Sequence, residues 1–519
     1  NPGVSSAPTV DLELSVDGGA TWQLLAAGLG VDRFGAGRFV WTAGPQTAGN
    51  TALVRAKVVG TNLADVSDEA FGIANAGTSY YVNDGSTAGD EYATAAGDNA
   101  NSGKSPNAPM ASLAALLRAY DLDPGDVIHV DTGTYALLQN VRLEAQDSGV
   151  RIQGPVELGH RAVVDRGNVS AGSYGLELAG ADGVVVDHVA WTGGEYGIYA
   201  ENGAESDGFV LTGSEVYGNK SGGIRLETKN DGARIEGNEI HDSTSASYEL
   251  YVQGVGNVIR GNRVYGSKAS TGIYVTPSHP FPQPTVPTEV IEGNEVFGLG
   301  DGISASYSRI EGNTVRDNGR TGISVSSYSE ARGNRVFGHL SQNGVGIDAS
   351  GGAAIDNEVF GNHDGIVSRG AGLIQGNRVY GNEAHGIKAD AYNSPASAVI
   401  RENFVYGNST GIWVARDYYT GRNTSQVLNN VVYANRDRGI YLGAGVDGVP
   451  VTNNTVYQPV GDAIRIEAGA QEILLTNNLL WVGTGYAITV AADSQQGFQS
   501  DYNGFTLAGA SAKLARWGS

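Results

Sequence analysis

The chain has 519 residues, a formal net charge of −22 and no cysteine. The negative charge opposes nucleic acid and anionic membranes as partners, and the lack of cysteine excludes disulfides and cysteine chemistry. No run of about 18 apolar residues marks a transmembrane helix or a retained signal peptide. Because the chain is acidic, poor in lysine and rich in Gly, Asn, Thr and Ser, we expect a secreted or cell-surface bacterial protein. We expect no insertion into a membrane and no organic cofactor.

The first segment, residues 1–76, differs from the rest. The stretch LELSVDGGATWQLL predicts a hairpin that turns at Asp17-Gly18-Gly19. RFVWTA, ALVRAKVVG and EAFGIAN supply three further strand candidates, and short strands at this spacing predict a small β-sandwich. The S-x-D-G-G-x-T-W pattern of the hairpin resembles the fibronectin-III-like modules of secreted enzymes, which implies an accessory module.

The second segment begins at residue 79 with the strand candidate SYYVNDGS. A helix is predicted near 112–120, with Ser112 as its N-cap, followed by the strand-rich stretch DPGDVIHVDTGTY. A stack of coils needs such a helix to cover its first coil, which otherwise exposes the core and an unpaired strand edge. The loop before the helix is either a solvated acidic loop or a Ca²⁺ site. Its acidic side chains are Asp84, Asp90, Glu91 and Asp98.

A short repeat fills residues 173–495. Each copy reads roughly Gly-Ile-x-Val, a variable loop, and then Ile-x-Gly-Asn-x-Val-Tyr-Gly-Asn. A repeat of about 20–27 residues predicts a solenoid, and the alternating β-branched residues predict that each repeat is one coil of short parallel strands. The Asn of each coil can then bond to the coils above and below it. The recurring asparagines are Asn238, Asn262, Asn294, Asn313, Asn334, Asn357, Asn377, Asn403, Asn430, Asn454 and Asn478.

These repeats resemble the right-handed parallel β-helix proteins, which include pectate lyases, alginate lyases, uronan epimerases and several glycosidases. The resemblance covers about residues 79–505. It implies an all-β chain in which a right-handed parallel β-helix, residues 79–519, follows the small β-sandwich of residues 1–76. The last segment, SDYNGFTLAGASAKLARWGS, predicts the start of a short helix and suggests a piece of a larger protein.

The motifs that carry catalysis in those families do not recur here. The Asp-Pro-His-Asp motif of the epimerases is absent, and its nearest pieces are Ser278-His279-Pro280 and His363-Asp364. The Trp-Ile-Asp-His pattern of pectate lyases and the paired aspartates of polygalacturonases are absent as well. No catalytic residue can therefore be transferred by motif, and the site has to be sought on the surface of the coils.

Within Gly-Ile-x-Val-x the Ile and Val face inward and each x faces outward. The x residues of successive coils should therefore form two columns on one exposed sheet. Two zones of these columns carry aromatic and ionisable side chains. Zone one comprises Tyr199, Glu201, Arg225, Glu227, Lys229, Asp231, Tyr251, Gln253, Tyr274 and His279. Zone two comprises Lys388, Asp390, Trp413, Arg416, Asp417, Tyr418, Tyr419, Tyr441, Arg465 and Glu467.

Zone one contains each part needed to remove the C5 proton of a uronate. Arg225, or a Ca²⁺ ion held by Glu201 and Glu227, would neutralise the carboxylate. The proton would be moved by Lys229, Tyr251 or His279. Tyr199 and Tyr274 would stack on sugar rings. The alternative is a ladder of solvated charges.

Zone two offers sugar-binding subsites at Lys388, Trp413, Tyr441 and Arg465. A third stripe, an aromatic residue that follows the Asn-x-Val unit in nearly every coil, is interpreted as a structural stack because function breaks repeats whereas structure keeps them.

The leading hypothesis is an enzyme, a lyase or a C5-epimerase, that acts on an acidic polysaccharide. A glycosidase that uses Glu201 and Glu227 is the second enzymatic option. From another class comes a non-catalytic carbohydrate-binding or structural module of a surface protein or adhesin.

Overall fold

The computed structural model describes residues 9–32, 35–41, 44, 47, 51–73, 79–266, 271–279, 283–391, 396–416 and 422–518. The chain divides into two compact units, one formed by residues 1–167 and 174–191 and the other by residues 168–173 and 192–519. The domain boundary proposed from the sequence, between residues 76 and 79, stays a prediction. The described residues contain a single α-helix of seven residues, and no helix is long and apolar enough to cross a membrane.

The first unit begins with a four-stranded antiparallel sheet. Its strands, in chain order, are Thr9–Ser15, Gln23–Gly30, Leu53–Val58 and Ala64–Val66. The predicted hairpin is confirmed, because the first two strands pair and the Asp17 carboxylate accepts hydrogen bonds from the backbone N–H and the hydroxyl of Thr21.

The rest of this N-terminal segment departs from the prediction. The described part of RFVWTA, Arg38 to Trp41, lies in no strand, and Trp41 packs instead against the core of Leu14, Ala52 and Ile73. The residues that the structure describes here form one sheet. The resemblance to a fibronectin-III-like module is therefore not confirmed, and the second layer of a sandwich stays a prediction.

The first unit continues with coils of parallel strands. One set of paired strands is Ser79–Val82, Val127–Val130, Arg151–Gln153 and Val185–Asp187. The other strands are Gly133–Ala136, Ala162–Asp165, Val189–Thr192, Val141–Glu144 and Tyr174–Ala179, with a 3₁₀ turn at Ala145–Asp147. The predicted helix is confirmed at Leu113–Ala119, where the Ser112 side chain accepts a hydrogen bond from the N–H of Ala115. Its Leu113 and Leu116 are buried, as a cover for the core requires.

The second unit is a right-handed parallel β-helix with three strands in each coil. Sheet one consists of Val210–Thr212, Arg234–Glu236, Val258–Arg260, Glu289–Glu292, Ser308–Glu311, Glu330–Arg332, Ala353–Ile355, Leu373–Gln375, Val399–Arg401, Gln426–Leu428, Pro450–Thr452, Leu474–Thr476 and Gln499–Asp501. Sheet two consists of Glu215–Tyr217, Glu239–His241, Arg263–Tyr265, Glu295–Phe297, Thr314–Arg316, Arg335–Phe337, Glu358–Phe360, Arg378–Tyr380, Phe404–Tyr406, Val431–Tyr433, Thr455–Gln458, Leu479–Val482 and Gly504–Leu507. Sheet three consists of Tyr196–Ala200, Gly222–Leu226, Tyr248–Val252, Thr271–Val275, Asp301–Ser306, Thr321–Ser326, Val345–Asp348, Asp364–Ser368, His385–Asp390, Thr410–Ala415, Arg438–Leu442, Asp462–Ile466, Gly485–Val490 and Ala512–Trp517. A second 3₁₀ turn lies at Ala492–Ser494.

The C-terminal segment forms a further coil. The sequence predicts the start of a helix there, and this prediction is wrong for the described residues. Ala512–Trp517 is a strand that pairs in parallel with Gly485–Val490. The exposed edge of the preceding coil supplies backbone hydrogen-bond partners that a short helix would leave unpaired.

A ladder of buried asparagines connects the coils, as the repeat predicts. In a typical rung, the N–H and Nδ2 of Asn357 both donate to Oδ1 of Asn377, each at 2.9 Å, and Nδ2 also donates to the carbonyl of Ala331 at 2.9 Å. Oδ1 of Asn357 accepts two hydrogen bonds from Asn334 in the same way. Each amide is thus bonded to its neighbours although it is almost fully buried.

A second buried ladder contains a histidine. Asn362, Asn382, Asn408 and Asn435 repeat the same pattern of bonds. At the coil before them, Nδ1 of His339 lies 2.8 Å from Oδ1 of Asn362, and Nε2 lies 3.3 Å from Nδ2 of Asn318. A neutral imidazole that donates from Nδ1 and accepts at Nε2 therefore replaces one asparagine in this ladder.

Asn357→Ala should lower the free energy of unfolding by about 2–4 kcal/mol, because two buried donors of Asn334 lose their acceptor. Denaturant unfolding measures the change. Asn202→Ala is the control, since Asn202 is exposed and its replacement should change stability by no more than about 0.5 kcal/mol. Equal effects of the two substitutions would contradict a ladder that stabilises the coils.

His339 should make stability depend on pH. Burial lowers its pKa, and the bond to Asn362 offsets this only in part, whereas in the unfolded chain it titrates near about 6.5. The unfolded chain therefore binds the extra proton first. The contribution of His339 is complete above about pH 6.5 and declines as the pH falls towards the folded pKa, by about 1.4 kcal/mol per unit of pKa depression.

The comparison that isolates this effect is His339→Asn, which restores the asparagine of the other rungs. The melting temperatures of both proteins are measured at pH 8 and at pH 5. We expect similar melting temperatures at pH 8 and a higher melting temperature for the variant than for the parent at pH 5. The same pH dependence in both proteins would show that His339 does not titrate in this range.

Candidate functional site

The outward column predicted from the repeats lies on sheet three with the predicted register. Each residue stands directly opposite the next in the ladder of parallel strands. The column is Tyr199, Arg225, Tyr251, Tyr274, Ser304, Ser324, Asp348, Val367, Lys388, Trp413, Tyr441, Arg465 and Thr489. The two zones are therefore two sections of one sheet face.

Zone one is an array of tyrosine rings around one guanidinium. Arg225 lies over the ring of Tyr251 at 4.9 Å and donates from Nη1 to the hydroxyl of Tyr196 at 3.1 Å. Tyr251 stacks on Tyr274 with ring centroids 5.6 Å apart, and Tyr196 stacks on Tyr199 at 5.5 Å. Rings and a cation at adjacent strand spacings are the contacts that a sugar chain with carboxylates requires.

The charge of Arg225 is compensated within this zone. Its Nε donates to Oε1 of Glu227 at 2.8 Å, and its side chain is 32 % exposed. Burial raises the pKa of Tyr251, and the charge of Arg225 offsets this only in part. Tyr251 therefore keeps its proton at neutral pH and is suited to donate a proton rather than to accept one.

Two of the predicted proton-transfer residues stand apart from Arg225. Lys229 is 67 % exposed and lies 3.4 Å from Oε1 of Glu205. His279 packs edge-on against the ring of Tyr307 at 4.9 Å, and its Nε2 lies 3.0 Å from the hydroxyl of Thr288. Within the described part of the chain, no hydrogen bond, ion pair or ring contact joins either residue to Arg225, and their catalytic roles stay predictions.

The predicted cation sites have other bonds. Glu227, one of the two predicted ligands on sheet three, already accepts from Arg225, while Glu201 is exposed. In the loop of the first unit, Asp90 accepts from Asn83, and the two carboxylate oxygens of Glu91 accept the N–H groups of residues 156 and 157. Glu227 and Glu91 are thus bonded to protein donors, whereas Oδ1 of Asp90 is buried and has no hydrogen-bond partner among the described residues. Ca²⁺ stays a prediction.

One mixed cluster could coordinate a metal. Among the described residues, Glu91, Glu157 and His160 form the one group of three whose ligand atoms all lie within 4.8 Å of one another. His160 Nδ1 is 3.0 Å from Oε1 of Glu91. The hydrogen bonds of Glu91 account for this arrangement without an ion.

Zone two brings together groups of opposite charge and two aromatic rings. Nζ of Lys388 lies 3.8 Å from Oδ2 of Asp390 and 5.0 Å from the ring of Trp413. The ring of Trp413 stacks on that of Tyr441 at 6.1 Å. Arg465 donates to Glu467 at 2.8 Å. Asp417, Tyr418 and Tyr419 lie outside the described residues.

A third outward column, three residues before the first x of each repeat, was not predicted from the sequence. It adds Tyr196 and Tyr248 to zone one and Asp364 and His385 to zone two. Tyr248 lies 4.6 Å from Tyr274, and His385 lies 5.6 Å from Trp413, measured between ring centroids. The signal was available, because most of these residues directly precede the Gly of Gly-Ile.

The aromatic stripe on sheet two is a stack, as interpreted. Tyr265 and Phe297 are 5.1 Å apart at 9°, and Phe360 and Tyr380 are 5.0 Å apart at 5°. Arg316 interrupts the stripe and covers Phe297 at 4.0 Å. Because nearly parallel rings recur in most coils, this stripe is a feature of the repeat that stabilises the coils.

Three solved structures illustrate what the chain is similar to. The pectate lyase Pel9A has 15% identity and a TM-score of 0.27, over 68% of this chain and 76% of that one. The periplasmic alginate epimerase AlgG has 14% identity and a TM-score of 0.37, over 62% of this chain and 76% of that one. PfbA, a surface adhesin of Streptococcus pneumoniae, has 14% identity and a TM-score of 0.33, over 70% of this chain and 84% of that one. Likenesses of this degree carry no functional argument.

No curated protein matches the sequence of this chain. The family described as the right handed beta helix region matches it at residues 124–285, 206–357, 302–456 and 343–503. These overlapping matches cover most of the chain and coincide with the coils of parallel strands described above. The chain therefore belongs to the right-handed beta helix family.

Proposed function

We propose that the protein binds an acidic polysaccharide along sheet three and acts on its uronate residues by abstraction of the C5 proton, as a lyase or a C5-epimerase. The observation that carries the proposal is the register of Arg225 with Tyr199, Tyr251 and Tyr274. It sets a guanidinium among aromatic rings at intervals of about 4.8 Å on an outward face. A polysaccharide long enough to run along several coils lies outside the cell, so an extracellular location is part of the proposal.

The residues of zone one suit binding better than proton abstraction. Arg225 retains donors beyond its bonds to Tyr196 and Glu227, and a guanidinium recognises a carboxylate through paired donors. Tyr251 and Tyr274 present partly exposed rings to a sugar. If Ca²⁺ takes part, it would add a further positive charge at the uronate carboxylate, with Glu201 as the free carboxylate of the predicted pair.

One observation favours a non-catalytic module instead. Each cation of zone one has an acidic neighbour, Arg225 with Glu227 and Lys229 with Glu205, so its charges form the compensated pairs of a solvated surface. Such a face binds a polysaccharide through its rings without changing it. This second candidate predicts binding with no chemical product.

The test combines two readouts on a panel of uronate polysaccharides, with Ca²⁺ and with a chelator. Absorbance near 235 nm reports the unsaturated product of elimination, and deuterium incorporation at C5 in D₂O, followed by NMR, reports proton exchange without cleavage. We expect one of the two signals on at least one polymer. Binding without either signal would leave the non-catalytic module as the function.

Arg225→Ala should weaken polysaccharide binding at least about tenfold, because a hydrogen bond to a charged group contributes about 1.5–3 kcal/mol. Arg335→Ala is the matched control, since Arg335 is a half-exposed arginine that lies over Phe337 on sheet two. Equal affinity of both variants would place the binding face elsewhere.

A further inference from the structure

Zone two contains a histidine held by a carboxylate. Nδ1 of His385 lies 2.8 Å from Oδ1 of Asp364, and the backbone N–H of His385 donates to the same oxygen at 3.2 Å. The two residues stand on adjacent strands of sheet three. Two bonds to one carboxylate fix both the position of the ring and its tautomer, with the proton on Nδ1.

The second nitrogen of this ring is available for chemistry. The side chain of His385 is 24 % exposed, and within the described part of the chain its Nε2 has no hydrogen-bond partner. Burial by itself would raise the pKa of Asp364, but the hydrogen bond to His385 and the charges of His385 and Lys388 hold it below its ordinary value. An ionised Asp364 can only accept at Nδ1, so the lone pair of the neutral imidazole lies on Nε2.

A cation and an aromatic plane adjoin this pair. The ring of Trp413 lies 5.6 Å from the imidazole, and Nζ of Lys388 lies 5.0 Å from the ring of Trp413. The side chain of Lys388 is only 14 % exposed, and its Nζ also lies 3.8 Å from Oδ2 of Asp390. The imidazole of His385, the ammonium group of Lys388 and the ring of Trp413 therefore lie close together on sheet three, as a base, a positive charge and a surface for a sugar ring.

Four other histidines lack this combination. His339 and His241 are part of the buried ladder and the aromatic stack, and His279 contacts neither zone-one cation. His188 also contacts a carboxylate, but Arg151 shares that carboxylate, Asp187.

We infer that Asp364, His385 and Lys388 form the proton-transfer site of this protein, with a uronate residue of the polysaccharide bound against Trp413. The inference rests on the proposed function and names the residues that perform it. His385 is the catalytic base, Lys388 neutralises the substrate carboxylate, and Asp364 is a positioning residue that acts through His385.

The elimination balances with these groups alone. Nε2 of His385 takes the C5 proton, and the electron pair of the C5–H bond moves towards the carboxylate that Lys388 neutralises. The C4–C5 double bond then forms as the C4–O bond breaks. The proton on Nε2 passes to the departing oxygen, which restores the imidazole and leaves an unsaturated uronate and a new chain end.

His385→Ala should lower turnover of the responsive polymer by about 100- to 10,000-fold, as for the loss of a general base, while polymer affinity changes less than about twofold. Added imidazole should restore part of the turnover, which a merely structural role would not allow. His363→Gln is the matched control, because this neighbouring histidine is similarly exposed and lies beside Glu383. Its activity should equal that of the parent.

Asp364→Asn tests the positioning role. Turnover should fall with KM nearly unchanged, and the NMR signals of His385 should shift as Nδ1 loses its charged partner, while circular dichroism confirms the fold. Wild-type turnover in either His385→Ala or Asp364→Asn would overturn the inference and leave the proposed function intact. A parent protein that binds uronate polymers without changing any of them would overturn both.

Discussion

The hydrogen-bonded asparagine ladder is the constraint on which the rest of the second unit depends. Each rung satisfies buried backbone and amide groups of the coil before it, as Asn357 does for Asn334. A shift of one residue would place Ile or Val outside and leave these donors unpaired, a penalty of about 1–3 kcal/mol for each. The ladder thus fixes the register of every coil, whatever the length of its loops.

Because the register is fixed, residues that are far apart in the sequence lie side by side on one sheet face. Tyr251 and Arg225 are 26 positions apart in sequence, and Lys388 and Trp413 are 25 apart, yet each pair stands in direct opposition on sheet three. The interior repeats the same small set of apolar residues, so selection for a ligand can act on the outward column without disturbing the core. The same logic makes the stacked rings of sheet two structural, since they recur with the ladder.

The features of the fold that follow from the repeat could be predicted from the sequence. The spacing of the asparagines predicts the coils, and Ser112 is the N-cap of the helix as its residue type indicates. The column that contains zone one and zone two has the predicted register. Side-chain pairing was not predictable to the same extent. The partners of Lys229 and His279 lie on loops of variable length, whose course no repeat fixes.

Other misses have simple physical causes. The strand Ala512–Trp517 was mistaken for a helix because its alanines favour one, whereas the open edge of the previous coil decides its structure. The pair of Asp364 and His385 was missed because the positions before the Gly of each repeat were not taken as outward-facing. Its significance becomes visible only when two strands that are 21 residues apart are placed side by side.

The separation of the two zones bears on the kind of ligand that fits them both. Arg225 and Lys388 are seven strand spacings apart, about 34 Å. Between Tyr274, the last ring of zone one, and Lys388, the column carries Ser304, Ser324, Asp348 and Val367. A single sugar can occupy one zone only, whereas a polymer that runs along the coils contacts both. Once zone one holds such a polymer, its further residues are presented to His385 at a high effective concentration. Weak contacts on compensated charges are then sufficient in each zone, which reconciles the modest chemistry of Arg225 with a reactive centre at His385.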